Sequence, residues 1–226
     1  GLGGSRMLTS LEIENFRAFQ RFSMEGLGRI NLCVGTNNCG KTSVLEAVNI
    51  LAARDRLEAF WQAQTRRGER WLDERPRGRP RIEVDICHLF HGHQIEPNAA
   101  FRIHAKNDQH AHTLTARIIE WEAQLQPPLP FGPEDQDITP SGGLALHLQW
   151  AGLPPAERRL PLSERGGVSE DLLFEQAGRR RQSEFPVELI TTEALAKDKV
   201  ASQFAEIVIT PEETVVLDAL RTIEPA

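Results

Sequence analysis

The sequence contains few cysteines, no long apolar run and no excess of positive charge. Its three cysteines are an odd number, which does not suit a disulfide framework, so we expect a reduced, cytoplasmic setting. No apolar run approaches the roughly 20 residues that a membrane-spanning helix needs, and no charged and apolar leader opens the chain, so we predict no membrane contact. The net charge of −6 excludes a wholly basic nucleic-acid-binding surface and leaves room only for a local basic patch.

The sequence does contain a glycine-rich motif at residues 35–42, which fits the pattern G-x-x-x-x-G-K-[S/T]. An apolar run at residues 30–34 predicts a strand before the motif, and residues 43–52 predict a helix after it, as the motif requires. Backbone N–H groups in such a loop bind a polyphosphate together with the N-terminus of the helix. The sequence therefore predicts a phosphate-binding loop, the P-loop or Walker A motif, formed by Gly35, Thr36, Asn37, Asn38, Cys39, Gly40, Lys41, Thr42 and Ser43.

Two side chains of the P-loop have expected chemical roles. Lys41 is expected to reach the β- and γ-phosphates, and Thr42 to give its hydroxyl to Mg²⁺, the ion that neutralises charge during phosphoryl transfer. We therefore predict ATP and Mg²⁺ as cofactors, with Thr42 as a metal ligand. A GTPase or small-molecule kinase is disfavoured, because guanine selection normally uses Asn-Lys-x-Asp and residues 196–199 read Ala-Lys-Asp-Lys.

Two strands, at residues 8–15 and 22–25, are predicted before the P-loop, whereas in small GTPases and simple nucleotide kinases the loop usually follows the first strand. The pattern Leu-x-Ile-x-Asn-Phe-Arg at residues 11–17, with Gly-Arg-Ile-Asn-Leu at 28–32 and the P-loop, resembles the N-terminal lobe of ABC-type ATPase heads. These heads form the RecF, SMC and OLD group of AAA-family ATPases. The resemblance implies that Phe16 and Arg17 lie beside the nucleotide, where Arg17 pairs with phosphate. The alternative is an ordinary surface arginine.

The fold that this resemblance implies is α/β, the ABC-type head lobe of a P-loop NTPase. It has a mixed core sheet around the P-loop helix and an antiparallel β subdomain. Residues 1–6 look like an expression scar, and residues 7–226 form the lobe. We predict four parts: a P-loop core at 7–55, a helical and arginine-rich linker at 56–80, an antiparallel β subdomain at 81–165, and a strand with linker helices at 166–226.

Local patterns predict the elements inside these parts. Alternating apolar residues predict strands at 82–86, 100–104, 114–118, 144–150 and 160–162. Helices are predicted at 57–71, from Ser169 onward, at 194–207 and at 211–223, the last with Thr210 as its N-cap. A proline-rich loop is predicted at 127–140 and a further strand at 185–190.

An arginine segment between residues 66 and 81 has two interpretations. We favour a solvated helix end and linker, partly neutralised by Glu69, Asp73 and Glu74. The alternative is a contact for nucleic acid. The segment contains Arg66, Arg67, Arg70, Arg75, Arg77, Arg79 and Arg81.

Histidines are frequent between residues 88 and 112, and Cys87 lies next to the first of them. A metal site is one interpretation, but the spacing fits no common zinc pattern. We therefore favour surface histidines on strands and turns. A metal site remains the alternative for Cys87 with His88, His91, His93, His104, His110 and His112.

The sequence has no clear copy of two motifs that ATP hydrolysis needs in this group. A Walker B motif is an apolar run that ends in Asp-Glu. After the apolar residues 215–217, Asp218 is followed by Ala219 and not by glutamate. In residues 82–85, the polar Glu83 interrupts the apolar run before Asp85. Residues 141–143 read Ser-Gly-Gly like a signature motif, yet a strand pattern follows them, so a loop explains them better. No catalytic residue is therefore identified, and we expect the chain to be the N-terminal portion of a longer ATPase.

The leading hypothesis is an ATP-binding lobe that hydrolyses ATP with Mg²⁺ only in a full-length protein. Its expected partners are a second ATPase lobe and a second copy in a head-to-head homodimer, with nucleic acid contacting the arginine segment. The alternative is a non-hydrolysing, nucleotide-responsive module that recruits DNA or a nuclease partner.

Overall fold

The structure, a computed structural model, describes residues 7–54, 56–73, 81–121, 143–152, 155–174, 187, 189–190, 205 and 212–223. The chain divides into two compact units, Gly1–Val187 and Glu188–Ala226. Of the helices described, none is long and apolar enough to cross a bilayer.

The first unit contains both strands and helices. In chain order they are β1 (Leu8–Phe16), β2 (Phe19–Glu25), α1 (Lys41–Ala53), α2 (Glu58–Arg66), β3 (Arg70–Asp73), β4 (Arg81–Asp85), a 3₁₀ turn (Cys87–Leu89), β5 (Ala100–Asn107), β6 (Ala111–Trp121), β7 (Gly143–Ala151), β8 (Ala156–Pro161), β9 (Gly167–Ser169) and α3 (Glu170–Phe174). The second unit contains α4 (Glu212–Ile223). The chain is therefore a mixed α/β protein.

Six strands form one antiparallel sheet in the order β2-β1-β5-β6-β7-β8. Apolar and polar side chains alternate along these strands, which puts one face of the sheet in the core. Ile13 lies opposite Ile103, which in turn lies opposite Leu114, and all three are buried. This row of side chains joins the strands that precede the glycine-rich loop to strands much later in the chain.

Helix α1 packs against β5 and β6. Its buried apolar residues recur every three or four positions, at Val44, Ala47, Ile50 and Leu51, which is the spacing of one helix face. Leu45, between them in the sequence, lies on another face and is exposed. The helix that follows the glycine-rich loop is thus held by the sheet through one apolar face.

A second antiparallel sheet has three strands in the order β3-β4-β9. Glu83 on β4 is buried, and its carboxylate accepts hydrogen bonds from Trp71 Nε1 at 3.2 Å and from Ser163 Oγ at 2.7 Å. These donors stabilise a charge that would otherwise be costly to bury. Strand β4 is therefore fixed by side-chain contacts as well as by its neighbouring strands.

Most of the predicted strands are confirmed. Both strands before the loop are present, as are the alternating strands of the later segment, although β1 and β2 belong to the same sheet as β5–β8. Both described sheets are antiparallel throughout, so the mixed core sheet around α1 stays a prediction. The division of the lobe into four parts also stays a prediction.

The helix predicted at residues 57–71 is confirmed as far as Arg66 and is wrong beyond it. Helix α2 ends at Arg66, and Trp71 lies in β3. Gly68 has a φ of +71°, and the N–H groups of Gly68 and Glu69 donate to the carbonyls of Thr65 and Gln64. This glycine-dependent pattern of hydrogen bonds ends a helix at this point.

The strand predicted at residues 30–34 is also wrong. This segment has irregular backbone, and its apolar side chains are almost fully exposed, 93% for Ile30, 83% for Leu32 and 80% for Val34. A strand needs a neighbour for its backbone N–H and C=O groups. Among the residues that the structure describes, no strand pairs with this segment.

Several predictions fall on other parts of the chain. The loop at 127–140, the helix at 194–207 and the N-cap Thr210 lie outside the described residues, apart from residue 205. Of the strand predicted at 185–190, residues 187, 189 and 190 are described and have no regular structure. The helices predicted from Ser169 and at 211–223 are confirmed as α3 and α4 within one residue at their starts.

Candidate functional site

The glycine-rich loop lies where the chain enters α1. Gly40 precedes the first helical residue, Lys41, and has a φ of +94°, a left-handed conformation that L side chains rarely adopt. A Cβ at this position would lie 2.4 Å from Cζ of Phe19, so a larger residue would also collide with that ring. The backbone conformation and the available space both require glycine here. The sequence did not predict that Phe19 contacts the loop.

Most side chains of the loop are open to solvent. Thr42, in the first turn of α1, is exposed, and so are Thr36, Asn37, Asn38 and Cys39. Gly40, as the N-cap residue, has no side chain that accepts a hydrogen bond from the first turn of this 13-residue helix. The first N–H groups of a helix carry partial positive charge and need acceptors. The exposed start of α1 therefore suits an anion.

Lys41 is folded back onto the loop. Its ammonium group donates to the carbonyl oxygens of Gly35 at 2.8 Å and Thr36 at 2.7 Å, and its Nζ lies 3.8 Å from Sγ of Cys39. An ammonium group bonds more strongly to an anionic phosphate than to neutral carbonyls. Lys41 is therefore placed to exchange these two carbonyls for a phosphate.

Arg17 lies in a buried network of charges beneath α1. It is 6% exposed, its Nε lies 2.6 Å from Glu46 of α1, and its Nη1 lies 3.0 Å from Glu69. Its Nη2 donates to Gln64 at 2.8 Å. Arg67 pairs with Glu46 at 2.9 Å, so two guanidinium groups balance two carboxylates. Such a neutral, hydrogen-bonded arrangement is what makes burial of charge tolerable.

Residues 15–17 lie at the end of β1, next to this network. Asn15 and Arg17 have positive φ values of 52° and 50°, and the Arg17 N–H donates to the Leu89 carbonyl at 2.9 Å. Phe16, between them, is fully buried, with its ring centroid 5.1 Å from that of Phe101. Phe16 thus lies in the core and Arg17 among protein carboxylates. The predicted contacts of these residues with a nucleotide stay predictions.

Ser43, the last predicted residue of the loop, is buried at the start of α1. Its hydroxyl is 3.5 Å from Nη2 of Arg67, the arginine that also pairs with Glu46. The structure therefore brings residues 35–42 together at the start of α1, and places Ser43 below them towards the charged network.

A family model described as an AAA ATPase domain matches residues 7–165, which include the loop, α1 and the network beneath them. The chain belongs to this family. The expected resemblance to AAA-family ATPases of the RecF type is thereby confirmed.

Two relatives match short stretches of this AAA ATPase domain protein. An uncharacterized protein of Methanocaldococcus jannaschii is 38% identical over 55 residues, which are 24% of this chain and 25% of that protein. The DNA replication and repair protein RecF of Clostridioides difficile is 40% identical over 45 residues, 20% of this chain and 12% of RecF. The matched stretches thus span a quarter or less of either relative's own length.

The arginine segment of the AAA ATPase domain is partly used in internal contacts. Arg67 pairs with Glu46, as described above, and Arg81 Nε lies 3.5 Å from Asp171. Arg66 and Arg70 are exposed. Arg75, Arg77 and Arg79 lie outside the described residues. A nucleic-acid contact through this segment stays a prediction.

The histidines of the AAA ATPase domain differ in their surroundings. His112 is buried, contrary to the expectation of surface histidines, and burial lowers the pKa of His104, whose Nδ1 lies 2.7 Å from Thr113 Oγ1. His88 lies beside Asp85 and Cys87. Burial, with the carboxylates of Asp85 and Glu69 nearby, raises the pKa of the Cys87 thiol to about 12.

The two weak Walker B candidates lie in different kinds of element. Asp218 lies on the helix α4, as expected, and residues 82–85 lie in β4 with Glu83 committed to Trp71 and Ser163. Gly143 begins β7, while Ser141 and Gly142 lie outside the described residues.

Proposed function

We propose that this AAA ATPase domain is the Mg-ATP-binding lobe of an ABC-type head ATPase. The observation that carries the proposal is the junction of the glycine-rich loop with α1. Gly40 adopts a conformation suited to glycine, Lys41 bonds weak carbonyl acceptors, and Thr42 is exposed in the first helical turn. These residues fit a polyphosphate with its metal ion.

The residues have distinct roles in this proposal. The loop backbone and the start of α1 hold the phosphates, and the Lys41 ammonium leaves the Gly35 and Thr36 carbonyls to bind them. The Thr42 hydroxyl would hold Mg²⁺, and the ion would neutralise the charge of the phosphates. Phe19 packs against Gly40 and holds the loop. Arg17 fixes Glu46, and with it the first turns of α1.

In the full-length ATPase, a second lobe would supply the residues that polarise water, and two heads would close on ATP. The resemblance to RecF-type heads supports this part of the proposal. Action on nucleic acid belongs to the same full-length protein, with the arginine segment as the contact. The chain alone is expected to bind ATP and to hydrolyse it negligibly.

Isothermal titration of ATP, with and without Mg²⁺, tests the proposed site. Thr42→Ser keeps a hydroxyl and should retain the Mg²⁺ dependence, whereas Thr42→Ala should lose most of it. GTP should compete poorly if the site selects adenine. Equal binding by both Thr42 variants at all Mg²⁺ concentrations would refute the metal role, and tight competition by GTP would refute the ATP assignment.

A further inference from the structure

The 3₁₀ turn after β4 brings together three side chains that bind metals well. A carboxylate oxygen of Asp85, Sγ of Cys87 and a ring nitrogen of His88 all lie within 4.8 Å of one another. Oδ2 of Asp85 is 3.5 Å from Nε2 of His88. The ligands of a tetrahedral zinc ion are about 3.5 Å apart, given metal–ligand bonds of about 2.0–2.3 Å. The pair formed by Asp85 and His88 already has this separation.

The backbone of this turn is fixed independently of any metal. The Cys87 N–H donates to Oδ1 of Asp85 at 2.9 Å, and Oδ2 of the same carboxylate faces Nε2 of His88. The Leu89 N–H donates to the Ile86 carbonyl at 3.0 Å, and both of these apolar side chains are buried. The turn is therefore anchored in the core, and the three ligands come from a preorganised stretch of four residues.

Contacts from other elements orient the site. The ring of His93 packs edge-on against that of His88, with centroids 4.6 Å apart. The backbone N–H of Asp85 donates to the Glu69 carbonyl at 2.9 Å, and Gln64 Nε2 donates to the Asp85 carbonyl at 3.1 Å. The Asp85 and His88 side chains are 20% and 37% exposed, so an ion can reach them from solvent.

We propose that Asp85, Cys87 and His88 form a binding site for a divalent transition-metal ion of the zinc type. A thiolate and an imidazole select such ions over Mg²⁺ or Ca²⁺, which prefer oxygen ligands. The thiolate and the carboxylate together carry two negative charges, which balance the ion. Binding forms a metal–sulfur bond and releases the thiol proton to solvent. Water completes the fourth position.

The site is separate from the P-loop but adjoins the network beneath α1. Gln64 contacts both, because its Oε1 accepts from Arg17 and its Nε2 donates to the Asp85 carbonyl. The turn also receives the Arg17 backbone N–H at the Leu89 carbonyl. A bound ion would therefore stabilise the segment on which Arg17 rests. ATP binding does not enter this proposal.

Cobalt(II) is a suitable probe, because a thiolate bound to cobalt gives a near-ultraviolet charge-transfer band. The 226-residue chain, treated with chelator and kept reduced, is titrated with cobalt(II) alone and then with zinc(II). The wild type should bind one equivalent of cobalt with this band, and zinc should abolish the band by displacing cobalt. Cys87→Ser should lose the band, and Cys33→Ser, the matched control, should keep it.

The other two ligands are tested by affinity. His88→Gln and Asp85→Asn should weaken cobalt binding by roughly 10-fold or more, whereas His110→Gln should leave it unchanged. The absence of a charge-transfer band, its survival in Cys87→Ser or its loss in Cys33→Ser would overturn the proposal.

Thermal unfolding shows whether each variant is folded and whether zinc stabilises it. Zinc should raise the unfolding temperature of the wild type and of Lys41→Ala, because the ion binds the folded state. It should not raise that of Cys87→Ser or His88→Gln. An equal rise in wild type and His88→Gln would contradict the site, whatever the result for ATP.

Discussion

The six-stranded sheet and the segment at residues 30–34 carry the same kind of sequence pattern but differ in structure. In β1, the alternating residues Leu11 and Ile13 are buried, and the strand pairs with β2 and β5. In the segment before the glycine-rich loop, Ile30 and Leu32 alternate in the same way and are exposed. Alternation thus predicts that a segment is able to form a strand, while a neighbouring strand decides whether it does.

The sheet and the loop at the start of α1 also differ in what they contribute to stability and to ligand binding. The sheet holds the apolar core and the helix α1, so it determines stability. The loop at the start of α1 is exposed and bonds mainly to itself, through Lys41 and the carbonyls of Gly35 and Thr36. Substitutions in the sheet should therefore change unfolding, and substitutions of the exposed loop side chains should change ligand binding with little effect on unfolding.

The largest effect is expected at Arg17, which follows β1 and pairs with Glu46 of α1. Arg17→Ala removes the guanidinium group that balances Glu46 and Glu69 in a buried place. Loss of one partner of a buried ion pair costs about 3–5 kcal/mol, so the free energy of unfolding in denaturant should fall by about that amount. If stability were unchanged and only ATP affinity fell, Arg17 would be a phosphate ligand and not a structural residue.

A slightly smaller effect is expected from the core of the sheet. Leu114→Ala leaves a cavity in fully buried surroundings and should lower the free energy of unfolding by about 2–5 kcal/mol. Leu32→Ala, which removes the same atoms from an exposed side chain, should change it by about 0.5 kcal/mol or less. Similar losses for the two leucines in urea unfolding would break the comparison between the regions.

Gly40 gives a test within the loop. Gly40→Ala places a Cβ against the Phe19 ring at a φ of +94°, and strain of this kind costs on the order of 1–3 kcal/mol. Gly26→Ala is the control, since Gly26 also has a positive φ of +65° but nothing within 4 Å of its Cβ position. Gly40→Ala should lose ATP binding while Gly26→Ala keeps it. Equal ATP affinities in titration calorimetry would contradict the assigned position of the loop.

The smallest effect is expected on the exposed face of the sheet. Arg102 lies 2.8 Å from Glu14, and their hydrogen bond lowers the pKa of that carboxyl. Because the folded-state pKa lies below the unfolded one, the stabilisation is present above the unfolded pKa and is lost as pH falls through the folded pKa. Arg102→Ala should cost about 0.2–1 kcal/mol near neutral pH, and less in acid. A larger cost in acid would contradict this sign.

The sequence predicted the strands of the sheet and the helix α1 after the glycine-rich motif, because these depend on local alternation, helix spacing and a glycine pattern. It did not predict the partners of Arg17, since Glu46 and Glu69 meet it only after folding. It also did not predict that the Asp85 side chain lies beside those of Cys87 and His88, for a different reason. That grouping depends on the 3₁₀ turn, which has no strong sequence pattern.

The most direct test of the central claim is the titration of Mg-ATP into the wild type, Lys41→Ala and Lys106→Ala. Lys106 is an exposed lysine at the end of β5 and serves as the charge-matched control. Wild type and Lys106→Ala should bind one ATP with equal affinity. Lys41→Ala should bind roughly 10- to 100-fold more weakly, since a hydrogen bond to a charged group contributes about 1.5–3 kcal/mol. No ATP binding by the wild type, or equal binding by Lys41→Ala, would contradict the account.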